Sequence, residues 1–124
     1  MLNKKQQLSK QAAKLWFEKC LEVWGDRCEV CGEKVRQVHH YIPKSRNGLL
    51  KYNILNGIPI CQRCHWIIHF SPNPAEIHRV IEIIRRNRGK KWRDKIDILE
   101  KIHGRSFNTI IWLEEQISKL VASS

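Results

Sequence analysis

Between Cys28 and His69 the chain reads Cys28-x-x-Cys31, then His39-His40, then Asn56, then Cys61-x-x-Cys64-His65-x-x-x-His69. This stretch limits the fold more than any other, because two Cys-x-x-Cys pairs brought onto one ion close a tetrahedral zinc site. A filled four-cysteine site has no open position, so its role is structural: Cys28, Cys31, Cys61 and Cys64 brace the chain. The histidines are left over. His65 and His69, four apart on a helix, project from one face and can share a second metal. His39 and His40 are neighbours on a strand and point to opposite sides, so one can bind metal while the other faces a substrate.

The stretch sits in a chain of 124 residues with 23 Lys and Arg against 12 Asp and Glu, a formal charge of +11 and a sequence pI near 9.8. The length fits one domain, 1–124, and structural zinc would supplement its modest core. The charge favours a polyanion as partner, with nucleic acid ahead of a membrane surface. No apolar run is long enough to span a bilayer, and the start, Met1 to Gln7, lacks a secretory signal. The expected location is therefore cytoplasmic, where Cys-x-x-Cys pairs are metal ligands rather than disulfides. The fifth cysteine, Cys20, reads as a buried helix residue.

Around the motif the periodicity predicts helices. Residues 5–24 carry Leu8, Ala12, Leu15, Trp16, Leu21, Val23 and Trp24 on an apolar stripe, capped by Gly25. Trp16 and Trp24 read as core rather than base-stacking residues. Val35 to Ile42 has strand character and Pro43 stops it. Leu49 to Pro59 reads as a connecting segment, and a short helix runs from about Cys64 through Phe70. Pro72 and Pro74 end it. Three further helices are expected over 75–86, with Ile77, Val80, Ile81 and Ile84 inward; over 92–103, through Ile96, Leu99 and Ile102; and over 107–121, through Ile110, Ile111, Leu113, Ile117 and Leu120.

The order of these residues resembles the HNH endonucleases, whose ββα-metal core here includes a pair of zinc knuckles. The resemblance covers roughly residues 26–70 and implies an α+β fold: a β-hairpin and one helix, preceded by a helix (1–25) and followed by a basic helical extension (75–124). It implies a metal-dependent DNA endonuclease in which His40 is the general base and His39, His65 and His69 hold the catalytic metal. Asn56 keeps the loop and the base in position, with Asn53 as the alternative. Neutral imidazole suits proton abstraction from water near pH 7, and a divalent cation relieves charge on the scissile phosphate. The cofactors implied are structural zinc and one catalytic divalent metal: nickel, zinc, cobalt or manganese suit three imidazoles, and magnesium would rely on phosphate and water. Many relatives carry an acid two residues before the histidine pair, where this chain has Gln37. Relatives of this size occur in phages and mobile elements.

Charge supplies a third signal. Lys44, Arg46 and Lys51 lie near the proposed site, and Arg85, Arg86, Arg88, Lys90, Lys91, Arg93 and Lys95 crowd a short later stretch. Both clusters are expected to hold the backbone of DNA, double-stranded by the same expectation. The alternative is a zinc-ribbon module that binds nucleic acid without cutting it. A thiol redox protein lacks its usual βαβ setting.

Overall fold

The computed structural model describes residues 1–102, 104 and 108–123. The chain is α+β. Helix α1 (Lys4–Trp24) leads to a two-stranded antiparallel sheet of β1 (Gln37–His40) and β2 (Gly57–Ile60). Helices α2 (Gln62–Phe70), α3 (Pro74–Arg88), α4 (Lys90–Lys101) and α5 (Ile110–Ala122) follow. The sheet and α2 form the expected ββα unit. The expectation placing His103 and Phe107 in helices falls outside the described residues.

Local chemistry sets the boundaries. Asn3 and Gln6 form a reciprocal capping box at the start of α1. Gly25 ends it with φ +105°, a conformation that costs other residues dearly. Cys61 caps α2, which therefore starts two residues earlier than its periodicity indicated. The proline-rich stretch both ends α2 and opens α3: Asn73 caps the helix, and Pro74 occupies its first turn, where a missing N–H costs nothing. Helix α3 then runs through Arg88, beyond the expected break at Asn87, and Gly89 separates it from α4.

The sheet differs most from expectation. Strand β1 is half the length read from Val35 to Ile42, and β2 lies partly inside the segment taken as a connection. Its register pairs Gln37 with Ile60, Val38 with Pro59, His39 with Ile58 and His40 with Gly57. A proline opposite Val38 is tolerated because two strands have only edges.

The hairpin lies between two apolar clusters. One joins Leu8, Ala12, Trp16 and Cys20 of α1 to Val38, Tyr52, and Leu113 and Leu120 of α5. The other joins Ile58 to Ile67 of α2, Val80 and Ile84 of α3, and Trp92 and Ile96 of α4. Helix α1 approaches β2 so closely that a Cβ on Gly57 would lie 2.3 Å from Cys20 Sγ, so only glycine fits there. Several residues read as core are exposed. Val23 (50%), Ile102 (50%), Ile110 (40%) and Ile111 (72%) turn outward, because each helix buries only a narrow stripe at i, i+3 and i+4.

Candidate metal and nucleic-acid site

The first knuckle is built by backbone hydrogen bonds. Cys28 N–H donates to Glu33 O at 2.8 Å and Gly32 N–H to Cys28 O at 2.9 Å, with Gly32 at φ +80°. The second is the N-terminus of α2, where the Cys64 N–H donates to Cys61 Sγ at 3.4 Å. The four sulfurs lie within 4.8 Å of one another, and Cys31 and Cys61 Sγ are 3.6 Å apart. Ligands about 2.3 Å from a tetrahedral zinc stand about 3.8 Å apart, so the cluster fits such an ion. None of the five cysteines is in a disulfide. Burial, then the neighbouring sulfurs, push the Cys64 thiol up. At Cys61 burial opposes ionisation, but hydrogen bonds from the Cys64 N–H and the other thiols outweigh it and hold the thiol down.

The second cluster is His39, His65 and His69, with one nitrogen of each within 4.8 Å of the others. The Nε2 atoms of His65 and His69 are 2.9 Å apart. Two nitrogens at right angles about 2.1 Å from an ion would stand about 3.0 Å apart, so the donor set fits a divalent metal. His39 is buried, while His69 is exposed, leaving one side open. Burial, then the adjacent imidazoles, press His39 down to about 3; burial, then His69, lowers His65. His39 and His65 are therefore neutral donors at pH 7, the form that ligates metal.

His40 leaves β1 on the opposite side. Its ring stacks on Trp16, centroids 4.3 Å apart and 15° from parallel. Its Nε2 lies 2.9 Å from Lys51 O. A carbonyl only accepts, so Nε2 carries the proton and Nδ1 keeps its lone pair. Burial lowers the pKa of His40, reinforced by the charges of Lys44 and Lys51 and opposed by the Lys51 carbonyl. His39, His40, His65 and His69 line one cleft of about 550 Å³, together with Gln37 and Lys44. Among the described residues no carboxylate lines it.

Asn56 is fully buried. Its Oδ1 accepts from Ile42 N–H at 2.6 Å, and its Nδ2 donates to Ile42 O at 3.0 Å and Leu50 O at 3.3 Å. It thus ties the end of β1 to the loop that carries Lys51. Asn53 does something else: its side chain accepts from Leu55 N–H at 2.9 Å and caps a 3₁₀ turn.

The basic residues divide. Lys44, Arg86 and Lys91 are exposed. Arg46 and Lys90 are exposed but paired with Glu100 and Asp94, and the Lys51 ammonium lies over the Tyr52 ring. Arg85 makes a two-pronged pair with Asp97, 3.0 Å on each side, and Arg93 donates to Arg85 O at 2.8 Å. Arg88 departs most from a role on the surface. Its side chain is 2% exposed, ion-paired with Glu29, bonded to Gly57 O at 2.7 Å and set 3.6 Å from the centre of the Trp24 ring. A guanidinium so enclosed cannot reach a phosphate.

Sequence reasoning missed a clamp made by three tryptophans. The indole N–H groups of Trp16, Trp24 and Trp92 donate, each at 2.9 Å, to the successive carbonyls of Asn53, Ile54 and Leu55. They fix the segment that leads into Asn56.

Residues 28–71 match the family model described as HNH endonuclease. The matched segment is about a third of the chain. A 52-residue stretch is 40% identical to a protein from Sarcophyton glaucum, "Mitochondrial DNA mismatch repair protein mutS homolog". The match covers 39% of this chain and 5% of that protein. No solved structure matches the chain, and no helix among the described residues is long and apolar enough to cross a membrane.

Proposed function

We propose that this chain is a metal-dependent endonuclease that hydrolyses phosphodiester bonds of DNA. The observation that carries the reading is the His40 ring, fixed by Trp16 and Lys51 O with Nδ1 left to accept a proton, in the cleft that holds His39, His65 and His69. Water attacks phosphorus and gives its proton to His40 Nδ1; the bond from phosphorus to the 3′ oxygen breaks, and that oxygen takes a proton from solvent. His39, His65 and His69 would hold a divalent metal, which supplies charge relief on the phosphate and the leaving oxygen. Trp16 keeps the His40 ring from rotating, and Asn56 keeps the Lys51 carbonyl in range by tying its loop to β1. Lys44, at the edge of the cleft, attracts the phosphate backbone. Cys28, Cys31, Cys61 and Cys64 would hold zinc and set the pitch of α2 against the hairpin.

The donor set bears on the metal. Three imidazoles without a carboxylate favour zinc, nickel, cobalt or manganese over magnesium, which prefers oxygen. The test is metal analysis beside plasmid cleavage. Purified protein is expected to hold one tightly bound zinc and one exchangeable divalent ion, and His69→Ala to lose only the second along with cutting. A single class of metal, unaffected by His69→Ala, would overturn the open site; binding without cutting under every divalent metal would leave a non-catalytic module.

A further inference from the structure

A second cleft, of about 560 Å³, opens on the outer side of the four-cysteine cluster. Lys34, Arg36, Arg63 and Gln62 line it, with Glu33 as its one carboxylate. Lys34, Arg36 and Arg63 are exposed, and none of them forms an ion pair among the described residues. This contrasts with the later basic stretch, where Arg85, Lys90 and Arg88 are spent on acidic partners. Three cations outside any ion pair among the described residues thus line the knuckle cleft, while Arg86, Lys91 and Lys95 of the later stretch are exposed on α3 and α4.

The two clefts share no lining residue but both border α2. Gln62, His65 and His69 fall at i, i+3 and i+7 of α2 and share one face; the first lines the knuckle cleft and the other two line the metal cleft. On the sheet side Arg36 lines one and the adjacent Gln37 the other. From Gln62 to His69 the helix rises about 10 Å, so one short stretch of nucleic-acid backbone can reach both clefts. Lys44 lines the same cleft as the histidines.

We propose that Lys34, Arg36 and Arg63 bind phosphates of the cleaved strand on the knuckle side of the scissile bond, so that the strand runs along α2 from the knuckles past His65 and His69 toward Lys44. The proposal rests on the nuclease reading above for the position of the scissile phosphate. Glu33 sits among the cations and limits how closely a phosphate can settle at that end.

The test is the salt dependence of duplex binding, followed by fluorescence anisotropy in the His40→Ala background so that the labelled DNA stays whole. Each phosphate contact adds about 0.9 to the slope of log affinity against log salt. Replacing Lys34, Arg36 and Arg63 together by Ala is expected to lower the slope by about 2.7. The matched triple Arg86→Ala, Lys91→Ala, Lys95→Ala is expected to lower it by less than about 1. Bound zinc, measured on both, reports that the knuckles remain intact; if the first triple loses zinc, Arg63→Gln alone should lower the slope by about 0.9. An unchanged slope in zinc-loaded Lys34, Arg36 and Arg63 variants, or the loss appearing only in the matched triple, would overturn the track. Failure of the wild-type chain to cut any DNA would sink the nuclease reading instead, and the slopes would still decide where the backbone lies.

Discussion

Arg88 and Glu29 show how much a single residue's surroundings decide its use. In sequence Arg88 is one cation among seven in a short stretch; in the fold its guanidinium lies under Trp24 and joins the first knuckle to β2 through Glu29 and Gly57 O. Breaking a buried pair leaves one charge without compensation and costs about 3 kcal/mol or more. Arg88→Ala is therefore expected to lower the free energy of unfolding in urea by about 3 kcal/mol while leaving the salt slope of DNA binding unchanged. Unaltered stability with a reduced slope would return Arg88 to the DNA-binding surface. Nothing in the sequence identified this role, because Glu29 is 59 residues away and an arginine in a basic run looks like its neighbours. The cysteines and the histidine set were legible for the opposite reason: each metal cluster needs donors at fixed spacings on knuckle or helix. The deviation at Gln37 was legible too, and among the described residues the cleft it lines contains no carboxylate.

At the scale of elements, α1 and α2 were readable from their period, whereas the sheet was readable only in part. Strand β2 is four residues long and contains Pro59, so alternation could not reveal it. Its position depends on pairing with β1 and on α1 pressing against Gly57. The segment before it, Asn53 to Leu55, is irregular backbone whose carbonyls are satisfied by three indoles from α1 and α4. Tryptophan in a helix advertises core packing but not a distant carbonyl acceptor. The clamp predicts a modest cost for removing one N–H with the ring volume largely kept. Trp24→Phe should destabilise the chain by about 1 kcal/mol in denaturant unfolding and leave bound zinc in place. No change in stability would mean that the Ile54 carbonyl is equally satisfied without the indole.

At the scale of the whole molecule, the hairpin serves two clusters through the alternation of one strand. Val38 and His40 face α1, where Trp16 supports the His40 ring; His39 faces α2 and meets His65 and His69. The four cysteines sit at one end of this arrangement, and the open histidine cluster lies along the same helix. In the proposed mechanism the adjacency of His39 and His40 separates metal binding from proton transfer within one cleft. The most direct test is plasmid cleavage by His40→Ala beside the wild-type chain, with metal content and DNA affinity measured on the same preparations. The proposed mechanism predicts that both metals and DNA affinity are retained while the cleavage rate falls by about 10²-fold or more. Undiminished cleavage by the fully metal-loaded variant would contradict it.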